Sequence, residues 1–168
     1  MVVYLIMMMR ENLVHLSIEG ICMDKNEEMP VVLLRDRDKI RMLAVPVGPF
    51  EANAIIMMLK GIRLPRMLTH ELFAFFMAEN KFSITKLVIY GKTEETYKAS
   101  LFYKRGRKTR LMDVRPSDGI ALIMQFQSPI YAPEHLLQPG ETASARYCFK
   151  NQEETMFIEN DKSNLHLM

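Results

Sequence analysis

Three carboxylates, one histidine and a run of cations carry the chemical potential of this 168-residue chain. Glu51 and Asp118 each stand two residues after a proline, Pro49 and Pro116, and Asp113 lies three residues before the second of these. Carboxylates in such a set hold Mg²⁺ or Mn²⁺, and a divalent ion so held supplies the nucleophilic water and the charge stabilisation that phosphodiester hydrolysis needs. His70, directly before Glu71, is the candidate general base or a further metal ligand. His15, His135 and His166 are set aside. Arg115 has the forked guanidinium that clamps phosphate. Lys98, Lys104, Arg105, Arg107, Lys108 and Arg110 form a basic stretch with no acid among residues 97–112, interleaved with Tyr97, Phe102 and Tyr103. Cations hold phosphates and aromatic rings stack on bases, so this stretch is the expected nucleic-acid surface.

Every one of these residues also has a plain structural reading. An acid in the first helical turn sits where the helix dipole favours it. Asp113 near Arg115 can be an ion pair, and a histidine at a helix start can bond a loop carbonyl. Lysines along a hairpin edge discourage edge-to-edge association. Both readings stay open at this level. Ser-His-Asp hydrolase signatures, glycine-rich nucleotide loops and HExxH are missing, and nothing marks Ser117 as a nucleophile.

The elements that must position these groups include a repeat. Residues 47–59, VGPFEANAIIMML, align without a gap on residues 114–126, VRPSDGIALIMQF, at a constant offset of 67. One extra copy at this spacing implies a duplicated half-domain rather than a solenoid. Glu51 and Asp118 are equivalent in the repeat. If the halves meet about a pseudo-twofold axis, both acids face one cleft. Asp113 has Pro46 as its counterpart and Arg115 has Gly48, so neither is required to build the fold.

Strands are expected over His15–Met23, Pro30–Leu34 and Ile40–Val47, followed by a helix that starts at Pro49 and stops at Gly61. Thr69 is the expected N-cap of a second helix, Glu71–Glu79. Strands at Ser83–Tyr90, Tyr97–Tyr103 and Thr109–Val114 follow, the last two joined by a turn in which Gly106 takes a positive φ. The repeat helix Pro116–Phe126 and a short extended piece, residues 129–131, complete the pattern. The predicted fold is α+β: two duplicated β-β-β-α halves, about 14–61 and 83–127, share one mostly antiparallel, barrel-like sheet, with an extra helix between them. Residues 1–13 read as an extension and 138–168 as a partly ordered tail.

Bulk properties agree with one globular domain: 49% hydrophobic and 25% charged residues. Residues 1–133 carry 19 Lys/Arg against 14 Asp/Glu, while 134–168 carry 3 against 6, so a mildly basic body precedes an acidic tail. Cys22 and Cys148 have no CxxC companions, which argues against a zinc knuckle or a disulfide framework. The apolar opening, Met1–Met9, has its arginine after the run and no small-residue cleavage site. It reads as a strand or arm rather than a signal peptide, and the expected compartment is the cytoplasm, with no membrane partner.

Three passages resemble the bifunctional nuclease domain family: Gly48-Pro49-Phe50-Glu51-Ala52, the stretch Leu64–Leu72, and the stretch Asp113–Leu122 with its Arg-Pro-Ser-Asp core. Residues 30–34 and 128–131 support the likeness, which covers about residues 14–137. The resemblance implies a duplicated β₃α fold and nuclease activity on DNA and RNA. Gly119 stands where the family usually has alanine, and Ser128 where glycine is common. The leading expectation is a metal-assisted nuclease of low sequence selectivity using Glu51, Asp113, Asp118 and His70, acting on single- or double-stranded nucleic acid. The rival is a non-catalytic module that binds a ligand, protein or nucleic acid, in which the 15 methionines line a groove or a homodimer surface.

Overall fold

A computed structural model describes residues 12–140, apart from 25–28, 39 and 95. The expected N-terminal arm, Cys148 and nearly all of the expected tail therefore lie outside the described residues. The elements in order are β1 (Leu13–Asp24), β2 (Met29–Asp36), β3 (Arg41–Pro46), α1 (Pro49–Leu59), α2 (Thr69–Glu79), β4 (Phe82–Lys92), β5 (Tyr97–Arg105), β6 (Lys108–Val114), α3 (Pro116–Phe126), β7 (Ile130–Pro133), a 3₁₀ turn (Glu134–Leu136) and β8 (Gln138–Pro139). The order β-β-β-α occurs twice, with α2 between the two. Most expected strands are present and extend one to three residues further.

The eight strands form one sheet in the order β6-β5-β4-β7-β1-β2-β3-β8. All neighbours are antiparallel except β4 and β7. The sheet is open, which corrects the barrel expectation. Each three-stranded meander grows away from the centre, and β7 fills the gap between β1 and β4, so β6 and β8 end as opposite edges. No helix among the described residues is long and apolar enough to cross a membrane.

The three helices share one face of the sheet. α3 packs on β4 and β5, α1 on β1 and β2, and α2 on β4, with α1 and α2 flanking α3. Leu16, Leu34, Leu43, Ile55, Leu87, Ile89, Leu101, Ile120 and Ile123 are fully buried in the layer between. Each contributes about 1.5–3 kcal/mol through burial. α3 is the most deeply set, burying Ser117, Gly119, Ile120, Ala121, Leu122 and Ile123, whereas α2 buries only Ala74 and Met77.

Local rules explain the helix ends. Pro49 and Pro116 occupy the first helical position, where a missing N–H costs nothing. Gly61 leaves α1 with φ +65°. The N-cap of α2 is Leu68, not Thr69, because Glu71 Oε2 reaches back to accept the Leu68 N–H at 2.8 Å. Threonine's cap oxygen is not needed when an acid three residues after the cap closes the turn.

Gly119 marks the closest approach of helix and sheet. A Cβ there would meet Leu87 Cδ1 at 2.5 Å and Val114 Cγ2 at 3.3 Å. Gly119→Ala is therefore expected to lower the unfolding free energy by about 1 kcal/mol, because overpacking costs more than the helix-propensity gain of about 1 kcal/mol. In a Leu87→Ala background the same change is expected to stabilise. Urea unfolding of the four proteins checks both signs.

Candidate active site

The starts of all three helices converge. Glu51 lies in the first turn of α1, His70 is the second residue of α2, Arg115 is the N-cap of α3 and Asp118 lies in its first turn. A continuous chain of polar contacts joins them. Arg115 Nε donates to Asp118 Oδ2 at 2.7 Å. Arg115 Nη2 donates to Asp118 Oδ1 at 3.2 Å and to Glu51 Oε1 at 3.0 Å. His70 Nε2 lies 3.1 Å from the same Asp118 Oδ1. The two repeat-equivalent carboxylates thus share one cation, and a single nitrogen touches both.

The local sequence accounts for this asymmetric sharing of a repeated position. At Gly48 the chain has no side chain, and an added Cβ would collide with Glu51 Oε2, so the longer glutamate folds back over the bare helix start. At the equivalent position Arg115 supplies a guanidinium, which meets the shorter aspartate of its own helix. Neither Gly48 nor Arg115 caps its helix with a side-chain hydrogen bond. The first-turn N–H groups of α1 and α3, with their positive dipole ends, are left for solvent or an anion.

The site is layered by exposure. The Arg115 side chain is 70% exposed, while Glu51, His70 and Asp118 retain 13%, 19% and 28%. Burial alone pushes the Asp118 carboxyl up, but the bonds from Arg115 and then His70, together with their charges, hold it below its ordinary value. Bonding to Asp118 in turn raises Arg115 further, reinforced by the Asp118 and Glu51 charges. Arg115 is therefore charged at any working pH. An ionised carboxylate only accepts, so His70 Nε2 carries a proton toward Asp118, and in the uncharged tautomer Nδ1 keeps the lone pair.

Asp113 is not part of this cluster. It pairs across the ladder with Ser100 and accepts from Ser100 Oγ and Tyr90 Oη, each at 3.2 Å. Its neighbours Met112 and Val114 pack against the helix-side core, so strand alternation turns Asp113 to the opposite face of the sheet. Arg115 pairs with Glu51 and Asp118 rather than with Asp113. Among the described residues, no group of three or more His, Cys, Asp or Glu stands at metal-binding spacing. The Glu51–Asp118 pair fits a shared cation, not a complete ligand cage.

The basic residues divide by the same alternation. Lys98, Lys104, Arg105, Arg107, Lys108 and Arg110 are all exposed on or beside the edge strand β6. Arg105, Lys108 and Arg110 lie in register with Tyr103 and Met112 on the helix side, and Lys98 and Lys104 lie on the far side. Gly106 turns the hairpin at φ +59°. The interleaved aromatics are already engaged: Lys86 Nζ stands 4.5 Å from the Phe102 ring centre, Lys92 Nζ 5.1 Å from that of Tyr97, and Phe82 contacts both Arg105 and Tyr103. They serve as platforms for cations, and Phe102 is buried, so it has little surface for a base.

Met57 and Met58 line a narrow crease with Ile62, Leu64 and Leu68 that ends at His70. A wider polar depression elsewhere contains Asp36, but that carboxylate is satisfied by the N–H groups of Ile40 and Arg41 and by the Arg41 guanidinium. It acts as a clasp for the β2–β3 turn.

A family model described as the bifunctional nuclease domain matches residues 32–144. Two proteins of Mycobacterium tuberculosis, from strains CDC 1551 and H37Rv and both described as uncharacterized, are each 34% identical over 118 residues. The match spans 70% of this chain and 70% of each relative.

Because Arg115 is so exposed, its pairs are expected to add little stability. Arg115→Ala should change the unfolding free energy by less than about 1 kcal/mol in urea titration. A loss of several kcal/mol would make the residue a structural clasp.

Proposed function

The chain belongs to the bifunctional nuclease domain family, and from that footing we propose that it hydrolyses phosphodiester bonds in DNA or RNA with little sequence selectivity, at the cation position shared by Glu51 and Asp118. One observation carries the reading: Arg115 Nη2 reaches both carboxylates, while His70 approaches the same oxygen of Asp118. Cation, base and carboxylates are therefore within one hydrogen-bond chain on an accessible rim.

In this proposal Asp118 fixes the His70 ring, and Nδ1 takes the proton from the attacking water. Arg115, charged and exposed, engages a non-bridging phosphate oxygen through the guanidinium N–H groups that Asp118 and Glu51 leave free. The uncapped starts of α1 and α3 add backbone donors and positive dipole ends for the same anion. Glu51 and Asp118 are the residues that would hold Mg²⁺ or Mn²⁺ in place of the guanidinium; such an ion supplies charge neutralisation at the phosphate. Asp113 is assigned to the far face rather than to that ion. β6 runs from the basic turn straight into Arg115, which supports a path for the backbone along Arg110, Lys108 and Arg105.

We also read the two β-β-β-α units as copies. Their helices are equal in length at an offset of 67, each starts at proline, and the equivalent residues Met58 and Gln125 touch, with Gln125 Nε2 donating to Met58 Sδ at 3.0 Å. Contact between equivalent positions is what a local twofold axis produces.

The direct test is cleavage of single-stranded DNA and RNA by highly purified protein, with and without EDTA. His70→Ala is expected to slow cleavage about 10²–10⁴-fold, the usual contribution of a general base, and Glu51→Ala/Asp118→Ala to abolish it. Equal cleavage by wild type and double variant would trace the signal to contamination and end the assignment.

The exposed basic edge favours a second reading, nucleic-acid binding without hydrolysis. Affinity is then expected to fall steeply with salt, and Arg105→Ala and Arg107→Ala should each shrink the slope by about one, the share of a single neutralised phosphate. An affinity indifferent to salt would exclude this surface.

A further inference from the structure

We propose that the protein is a homodimer closed by α2, which packs antiparallel against α2 of a second copy about a twofold axis. The helix holds only Ala74 and Met77 in its own core, yet it carries large apolar side chains over most of its remaining surface. Met67, Leu72, Phe73, Phe75 and Phe76 are 55%, 57%, 43%, 50% and 59% exposed. At roughly 200 Å² per large side chain, this leaves about 500 Å² of apolar surface uncovered on one short helix and its approach. A monomer's largest apolar patch reaches about 300–600 Å² and is commonly functional. A standard interface covers about 800 Å² per partner, of which about 60% is apolar. The face thus already supplies the apolar share of one side of a stable dimer.

Charge selects the occupant and the direction. Arg63 and Arg66 stand exposed just before the helix and Glu79 stands exposed at its end; among the described residues none of the three has an ion pair. The next cation, Lys81, itself takes the left-handed φ of +60° that turns the chain out of the helix. Opposite charges at opposite ends of an apolar helix are self-complementary only when two copies run antiparallel, with Arg66 facing the partner's Glu79. The axis then passes between Leu72 and Phe73, in the middle of the apolar surface. A twofold interface of this kind is closed and stops at two copies. The helix dipoles are also opposed in that arrangement, which is the favourable sense.

Light scattering coupled to size exclusion, over protein concentrations from about 1 to 100 µM, tests the arrangement. The wild type is expected at twice the 19.6 kDa chain mass. Phe75→Glu/Phe76→Glu is expected to run as a folded monomer with an unchanged circular dichroism spectrum, its dimer dissociation constant raised at least a hundredfold. Arg66→Glu alone and Glu79→Arg alone should each raise that constant roughly tenfold, and the two together should return it to within about threefold of wild type. If the aromatic variant fails to fold, the charge series decides, since it touches only exposed side chains. A wild type that is monomeric throughout, one that forms open-ended oligomers, a dimer indifferent to both sets, or an α2 face that instead retains nucleic acid through purification would each overturn the proposal.

Discussion

Arg115 is the residue through which the three helices are electrically joined. It starts α3, it grips the Asp118 of its own helix with two nitrogens, and it reaches across to Glu51 at the start of α1. Asp118 passes the linkage on to His70 at the start of α2. Without this cation, Asp118 and Glu51 would lie near one another with no positive charge between them, and repulsion would turn one of them toward water or favour the neutral form of Asp118. With it, Asp118 stays ionised and can hold His70 in a single tautomer. The arrangement of the site in this structure depends on that one guanidinium lying between two acids.

The sheet makes this geometry available. Two meanders spread outward from a centre filled by β7, and each delivers its helix onto the same face. α3 takes the middle position, which its glycine makes possible by letting the helix settle against Leu87. α1 and α2 then flank it, with their starts toward the same rim. The strand that ends at Arg115 is also the strand that begins in the basic turn, so cation-rich edge and acidic cluster are two ends of β6. Burial, topology and charge therefore converge on one side of the molecule, while Asp113 and its partners Tyr90 and Ser100 belong to the other.

Much of this was readable from the residues. Proline at the first helical position, glycine after the last and alternation along the strands placed nearly every described element. The repeat at offset 67 pairs Glu51 with Asp118 in the sequence itself, and the Gly48–Arg115 equivalence holds the clue that one half supplies the cation for both. Asp113 could also have been assigned: it alternates with Met112 and Val114, and side chains that pack on the helix layer leave the residue between them on the far face. What pattern alone could not give was the openness of the sheet, because insertion of β7 between β1 and β4 depends on long-range pairing. Nor could it give the N-cap of α2, where a distant-seeming Glu71 outcompetes the adjacent threonine. The aromatics of the basic stretch were legible as neighbours of cations, but which partners they stack against depends on cross-strand register.

The site requires that the Arg115 guanidinium, bound to both equivalent acids, keep the Asp118 carboxyl in its charged form. A carbon-detected NMR titration of the Asp118 carboxyl, in the wild type and in Arg115→Met, reads this out at the atom concerned. A midpoint below the ordinary carboxylate value is expected in the wild type. It should rise clearly when the cation is removed, since burial and the nearby Glu51 charge are then opposed by His70 alone. An Asp118 midpoint that is the same in both proteins would show that the guanidinium does not hold the acids, and the site as described would fall.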